Sequence, residues 1–162
     1  AAGEVVVARA NFNAPVQIVI AGHAAAVARA SALAAARGGK AITLKVSAPF
    51  HCALMRPAAE RLAPALETAN IGALSFPVVA NVDGQPNSDP ARVRGLLLRQ
   101  IDGPVLWVAT VERMVAEGVT HALEIGPGKV LAGLCKRITK QLAVLSLNDA
   151  AALERVPAFL EA

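Results

Sequence analysis

Aromatic residues are nearly missing from this chain. It has no tyrosine, one tryptophan and four phenylalanines in 162 residues. Single-stranded nucleic acid is bound on aromatic platforms interleaved with basic residues, so the scarcity argues against that partner. Cysteine is scarce too. Cys52 and Cys135 form no CxxC and have no metal spacing, which reads as two free thiols in a reducing cytoplasm. His23, His51 and His121 share no ligand spacing, so no metal is expected. No uncharged apolar run reaches the ~18 residues that a membrane span needs. The opening AAGEVVVARA lacks a basic region ahead of an apolar core, so it does not read as a secretory signal. It also lacks an initiator Met, which hints at a missing beginning, whereas the C-terminus looks native. Finally, none of Ser31, Ser47, Ser75, Ser88 and Ser146 lies in G-x-S-x-G, the elbow that exposes a nucleophile in hydrolase-like folds.

What is present is apolar and mildly basic. Hydrophobic residues make up 55%, above the ~45–50% of ordinary soluble domains, and much of the excess is alanine. Two readings follow: an alanine-rich helical protein, or a piece of a larger one with apolar faces meant for missing partners. The net charge of +4 fits acidic or phosphorylated partners.

Along the chain, Val-rich residues 4–10 read as a strand and residues 11–15 as a turn. Residues 16–21 read as a second strand and 23–37 as a helix with Val27, Ala30 and Ala34 on its inner face. Gly38 and Gly39 stop it, and residues 41–46 read as a third strand. This β-β-α-β run is a ferredoxin-like unit without its first strand and helix. Beyond Ser47 the spacing predicts a helix over 53–68, with Leu54, Ala58, Leu62, Ala65 and Leu66 inward and a kink or break at Pro64. A strand over 78–82, a turn at Asp83–Gly84 and helices over 90–101 and 107–117 follow. Next come a strand over 121–125, a turn at 126–128, a helix over 130–138 and a strand over 141–145. A last helix is capped by Asn148 or Asp149. Alternating strands and helices predict an α/β domain with a mainly parallel sheet.

His51 stands at a predicted strand end, where sites gather in open α/β sheets, and histidine is the usual general base near neutral pH. The competing reading is a satisfied, partly buried histidine. Cys52 makes a poor nucleophile for it, because adjacent residues point in different directions. Gly126–Pro127–Gly128–Lys129 falls short of a phosphate loop in length and lacks the final hydroxyl. Pro127 as the first helical residue explains it better, although a helix N-terminus can bind an anion. From Ile125 to Asn148 there is no acidic residue, while Lys129, Lys136, Arg137 and Lys140 are present. They read either as a solvated helix face or as a landing surface for something acidic.

Four stretches, in order, carry a resemblance. They are Asn11–Phe12–Asn13–Ala14–Pro15 with residues 17–22; residues 47–55 around Pro49–Phe50–His51–Cys52; Arg99–Gln100; and residues 124–131 around Gly126–Pro127–Gly128–Lys129. Together they resemble the malonyl-CoA:acyl carrier protein transacylases of bacterial fatty acid synthesis, over essentially the whole chain but only that family's C-terminal half. The resemblance implies part of a hydrolase-like α/β domain at 48–162 plus an incomplete ferredoxin-like (α+β) subdomain at 1–47. It implies a cytoplasmic acyltransferase that moves a malonyl group from CoA to the phosphopantetheine thiol of acyl carrier protein through an acyl-serine, with no cofactor. By resemblance His51 is the base, and Gln100 holds it through its backbone carbonyl in place of a triad carboxylate. Asn11 and Asn13 fall to substrate binding, and Lys129, Lys136, Arg137 and Lys140 to carrier-protein docking. The family's oxyanion loop, serine elbow and malonyl-binding arginine lie upstream of the matched region. The chain is therefore expected to be inactive alone and to partner the missing N-terminal half. The alternatives are a non-catalytic carrier-protein-binding module and a hydrolase of related fold.

Overall fold

A computed structural model describes residues 5–161. The expected first strand starts at Glu4, which lies outside the described residues. The chain continues through β1 (Val7–Ala14), β2 (Gln17–Gly22), α1 (Ala24–Ala36), α2 (Arg56–Thr68), β3 (Val78–Val79), β4 (Pro86–Asn87), α3 (Pro90–Asp102), α4 (Trp107–Ala116), β5 (His121–Ile125), α5 (Val130–Ile138), β6 (Ala143–Leu147) and α6 (Val156–Leu160). Short 3-10 turns at Ala53–Met55 and Ala150–Arg155 lead into α2 and α6. The result is a mixed α/β architecture, and no helix among the described residues is long and apolar enough to cross a membrane.

The mainly parallel sheet is not what the described residues form. They make three separate pairs: β1–β2 and β3–β4 antiparallel, β5–β6 parallel. Linker length is the reason. Two residues separate β1 from β2 and can only reverse the chain, whereas β5 and β6 are joined through α5, the crossover that a parallel pair requires. The third strand expected over 41–46 does not form. Ile42, Leu44 and Val46 are all exposed, and the segment has no ladder partner, so its alternating pattern has no neighbour to pair with.

Burial is thin elsewhere too. Among the described residues, a cluster of buried side chains forms at Val111, Cys135 and Leu142, wrapped by Trp107, Met114, Val115, Val119, Ala122, Ile138 and Val144. It is the seam between α4, α5 and the β5–β6 pair. Helix α2 buries none of its residues; Leu62 and Ala65, expected inward, are exposed because α2 packs along α3 and has no second layer over it. Pro64 sits inside α2 without ending it. In α1 the buried residue is Ala26, and Ala34 is exposed. Gly118, at φ 85, ends α4 with its amide on Val115. Asp149 caps the 3-10 turn before α6 by accepting from the Ala152 amide at 2.9 Å.

Candidate active site

The site is built where α3 ends. A helix leaves its last carbonyls without intrahelical partners. Here Gln100, two residues from that end, presents its carbonyl oxygen 3.0 Å from His51 Nδ1, and the Gly103 carbonyl lies 3.2 Å from the same nitrogen. Both contacts require Nδ1 to carry the proton, so the neutral ring leaves Nε2 as an acceptor. The ring needs no carboxylate at Nδ1.

The backbone of His51 is strained: φ is 60, the only positive value at a non-glycine among the described residues. Its neighbours fix it. Cys52 is 1% exposed and its thiol donates to the Pro49 carbonyl at 3.2 Å. That commitment directs Cys52 into its own loop rather than toward the imidazole. Asp102, at the end of α3, meets Arg56 at 3.5 Å, tying α3 to the start of α2.

Asn11 and Asn13 lie half-buried on β1, where the register shifts once between Arg9 and Asn11 and again between Phe12 and Ala14, at Asn13 itself. Asn11 forms a parallel bridge with Val105, two residues past Gly103. The loop that supplies the second acceptor to His51 thus runs directly onto the strand bearing the two asparagines.

Of the basic residues, Lys129, Lys136 and Lys140 line one open groove of about 520 Å³ between α5 and β6, floored by Ala132, Gly133, Leu142, Ala143 and Val144. Only Lys136 lies within α5: Lys129 is its N-cap and Lys140 follows the extended Thr139, so Lys136 and Lys140 share no helical face and it is the groove that gathers the three. Arg137 is not among the lining residues.

Two details of this region correct the sequence reading. Pro127 is not the first helical residue; it lies in a turn whose flanking glycines have φ 132 and 95, and α5 starts at Val130. The N-terminus of α5 is not an open anion site either. Glu124 reaches over from β5 and accepts from the Leu131 and Ala132 amides at 2.8 and 3.1 Å and from the Ser146 hydroxyl at 2.8 Å. Lys129, the residue at the cap, has no acceptor to offer, so the strand carboxylate takes its place. Burial alone raises the pKa of Glu124, but the bonds from Ser146, Leu131 and Ala132 outweigh it and bring the group below its ordinary 4.5. Burial and the Glu124 charge together push the Cys135 thiol up. A strand acid spaced seven from the second residue of a helix is the signal that could have revealed this clamp. Nothing in the sequence marks Gly103, because a carbonyl acceptor has no side chain to read.

No family model matches the chain. It is 51% identical over 149 residues to the malonyl CoA-acyl carrier protein transacylase of Salmonella typhimurium, covering 91% of this chain and 48% of that protein. It is 50% identical over 159 residues to the Haemophilus influenzae enzyme of the same name, covering 98% and 51%. Among solved structures, an acyl carrier protein S-malonyltransferase from Vibrio cholerae superposes with a TM-score of 0.89 at 47% identity, over 96% of this chain and 51% of that one. A malonyl-transacylase in complex with a type II PKS acyl-carrier protein gives 0.91 at 46%, over 98% and 51%. The chain spans about half the length of these relatives. Over nearly its whole length, therefore, it is homologous to one half of the malonyl CoA-acyl carrier protein transacylases.

Proposed function

We propose that this chain is the C-terminal part of a cytoplasmic malonyl-CoA:acyl carrier protein transacylase of fatty acid synthesis and supplies its general base. The observation that carries the reading is His51 itself: Nδ1 held by two backbone carbonyls, Nε2 left to accept. A serine from the other half of the enzyme attacks the malonyl thioester of CoA while its proton moves to Nε2. The imidazolium then protonates the departing CoA thiolate. In the second half-reaction the phosphopantetheine thiol gives its proton to Nε2 and attacks the malonyl ester, and the serine recovers a proton as it leaves. The helix-end carbonyls stabilise the imidazolium in both halves, the task a carboxylate performs in a Ser-His-Asp triad.

Residues 1–47 belong, in this reading, to a ferredoxin-like subdomain and residues 48–162 to a hydrolase-like domain. The β1–β2–α1 unit and the β5–α5–β6 crossover support that division. Asn11 and Asn13 face substrate from the smaller part, and Lys129, Lys136, Arg137 and Lys140 receive the acidic carrier protein. A non-catalytic carrier-binding module is the second reading, favoured by the basic groove alone.

The intact enzyme bearing this sequence decides between them. His51→Ala should slow malonyl transfer from CoA to carrier protein by ~10²–10⁴ while carrier binding persists. Unchanged turnover would leave only the binding module. The 162-residue chain alone should transfer nothing, because a base cannot replace the covalent step.

A further inference from the structure

We propose that Gly103 is a positioning residue for His51: its carbonyl, on a loop anchored to β1, is the second of two acceptors that fix the imidazole. The inference rests on His51 being the base, and it extends that reading to a residue with no side chain.

A ring held by one hydrogen bond can pivot about it. The Gln100 and Gly103 carbonyls, at 3.0 and 3.2 Å, share one N–H in a three-centre arrangement and so constrain both tautomer and ring plane. They come from different parts of the chain: Gln100 from the last turn of α3, Gly103 from the loop after it. Backbone geometry explains why the second is glycine. With φ −94 and ψ 163 the conformation is open to any residue, so no conformational need exists. The need is space. A Cβ at position 103 would stand 2.5 Å from the Arg99 carbonyl oxygen and 2.7 Å from Val82 Cγ2. The first of these is backbone of α3 itself and cannot give way without unseating Gln100.

The loop is held on its far side. Val105 donates to the Ala10 carbonyl at 2.8 Å and accepts from the Phe12 amide at 2.9 Å, and Leu106 donates to Asn81 at 2.8 Å. On its near side, Gly103 donates to Arg99 at 2.9 Å. The Gly103 carbonyl is thus suspended between α3 and β1. The strand that bears Asn11 and Asn13 sets where that oxygen stands, so the base and the smaller part share one backbone connection. The strained φ of His51 has the same explanation: such a conformation persists where surroundings over-determine it, and two convergent carbonyls do so.

The test isolates the acceptor. Pro104 has no N–H, so replacing it with the α-hydroxy acid of valine turns the Gly103–Pro104 amide into an ester, weakening the Gly103 carbonyl without removing a donor. Pro104→Val, which keeps the amide, reports the effect of losing the ring. This sequence has three histidines, and ¹⁵N-histidine spectra of the intact enzyme, with the His51 signals identified by their loss in His51→Ala, separate the tautomers of the neutral rings. Unmodified His51 should be the Nδ1–H tautomer. The ester should shift it toward Nε2–H and speed exchange of the Nδ1 proton by roughly twofold or more, as expected for a weakened hydrogen bond. His23 and His121 should not change, and Gly103→Ala should act in the same direction more strongly. An ester indistinguishable from Pro104→Val, or an Nε2–H tautomer at the outset, would overturn the proposal. Because this readout does not involve turnover, it is separable from the base assignment. A responsive tautomer combined with full activity of His51→Ala would sink the base and leave the clamp standing.

Discussion

His51 shows how much one residue's backbone contributes to its chemistry. A left-handed conformation costs a side-chain-bearing residue roughly 1–2 kcal/mol, and glycine escapes that cost. His51 accepts it at φ 60 in exchange for two hydrogen bonds through Nδ1. Two truncations separate these terms. His51→Ala loses the bonds and keeps the strain; His51→Gly loses both. The glycine variant should therefore be the more stable of the two by about 1 kcal/mol, read from denaturant midpoints of the intact enzyme, even though both lack the base. Equal midpoints would mean that the loop relaxes once the imidazole is gone, and that the strain belongs to the contact rather than to the turn.

Among the elements, α5 depends on a neighbour for its own start. Its first turn is closed by Glu124 from β5, which also accepts from Ser146 on β6, so one carboxylate ties strand, helix and strand into a single crossover. The pKa of Glu124 lies below its ordinary 4.5. The sign follows: a group depressed on folding adds stability that is present above 4.5 and lost as pH falls through the lower folded value. Glu124→Gln should cost about 1 kcal/mol near neutral pH, the size of a lost cap, and the gap from the unsubstituted protein should close in acid. Melting curves from pH 7 down to pH 3 measure it, and a gap independent of pH would remove the charge from the explanation. This crossover is also where the sequence was most legible. The bounds of β5 and α5 match the reading because glycines at 126 and 128 and an apolar helical period agree locally. The segment 41–46 misled because strand formation depends on a neighbour, and none lies beside it. β6 begins at Ala143 rather than at Gln141, whose amide is taken by the Thr139 hydroxyl in a local turn. At the site, the strand end that singled out His51 does not form, so residue type and not position carried that reading, and Gln100 came from resemblance, since a carbonyl acts whatever side chain it carries.

At the scale of the whole molecule, apolar surface outruns the core. Val16, Ile125, Phe76 and Val130 are 98, 82, 71 and 70% exposed. Faces this open mark contact surfaces, and relatives of twice the length supply a candidate cover. The isolated 162-residue chain should bind hydrophobic dye and melt broadly; a sharp two-state transition of a dye-silent monomer would contradict that. The intact enzyme permits a sharper prediction about the basic groove. Lys129, Lys136 and Lys140 line it and Arg137 does not, yet Lys136 and Arg137 both fall in the last turn of α5, where either charge complements the helix dipole equally well. Helix-end electrostatics therefore treats the two alike, and docking does not. If the groove receives the acidic carrier protein, reversing Lys136 alone to Glu should raise the Michaelis constant for carrier protein and flatten its rise with salt. Steering charges act over a screening length of ~8 Å at physiological ionic strength, so removing them also removes the salt dependence. Arg137→Glu should move that constant less while costing similar thermal stability. Equal kinetic effects from the two reversals, or none from either, would reduce these residues to helix-end charges and return the groove to ordinary surface.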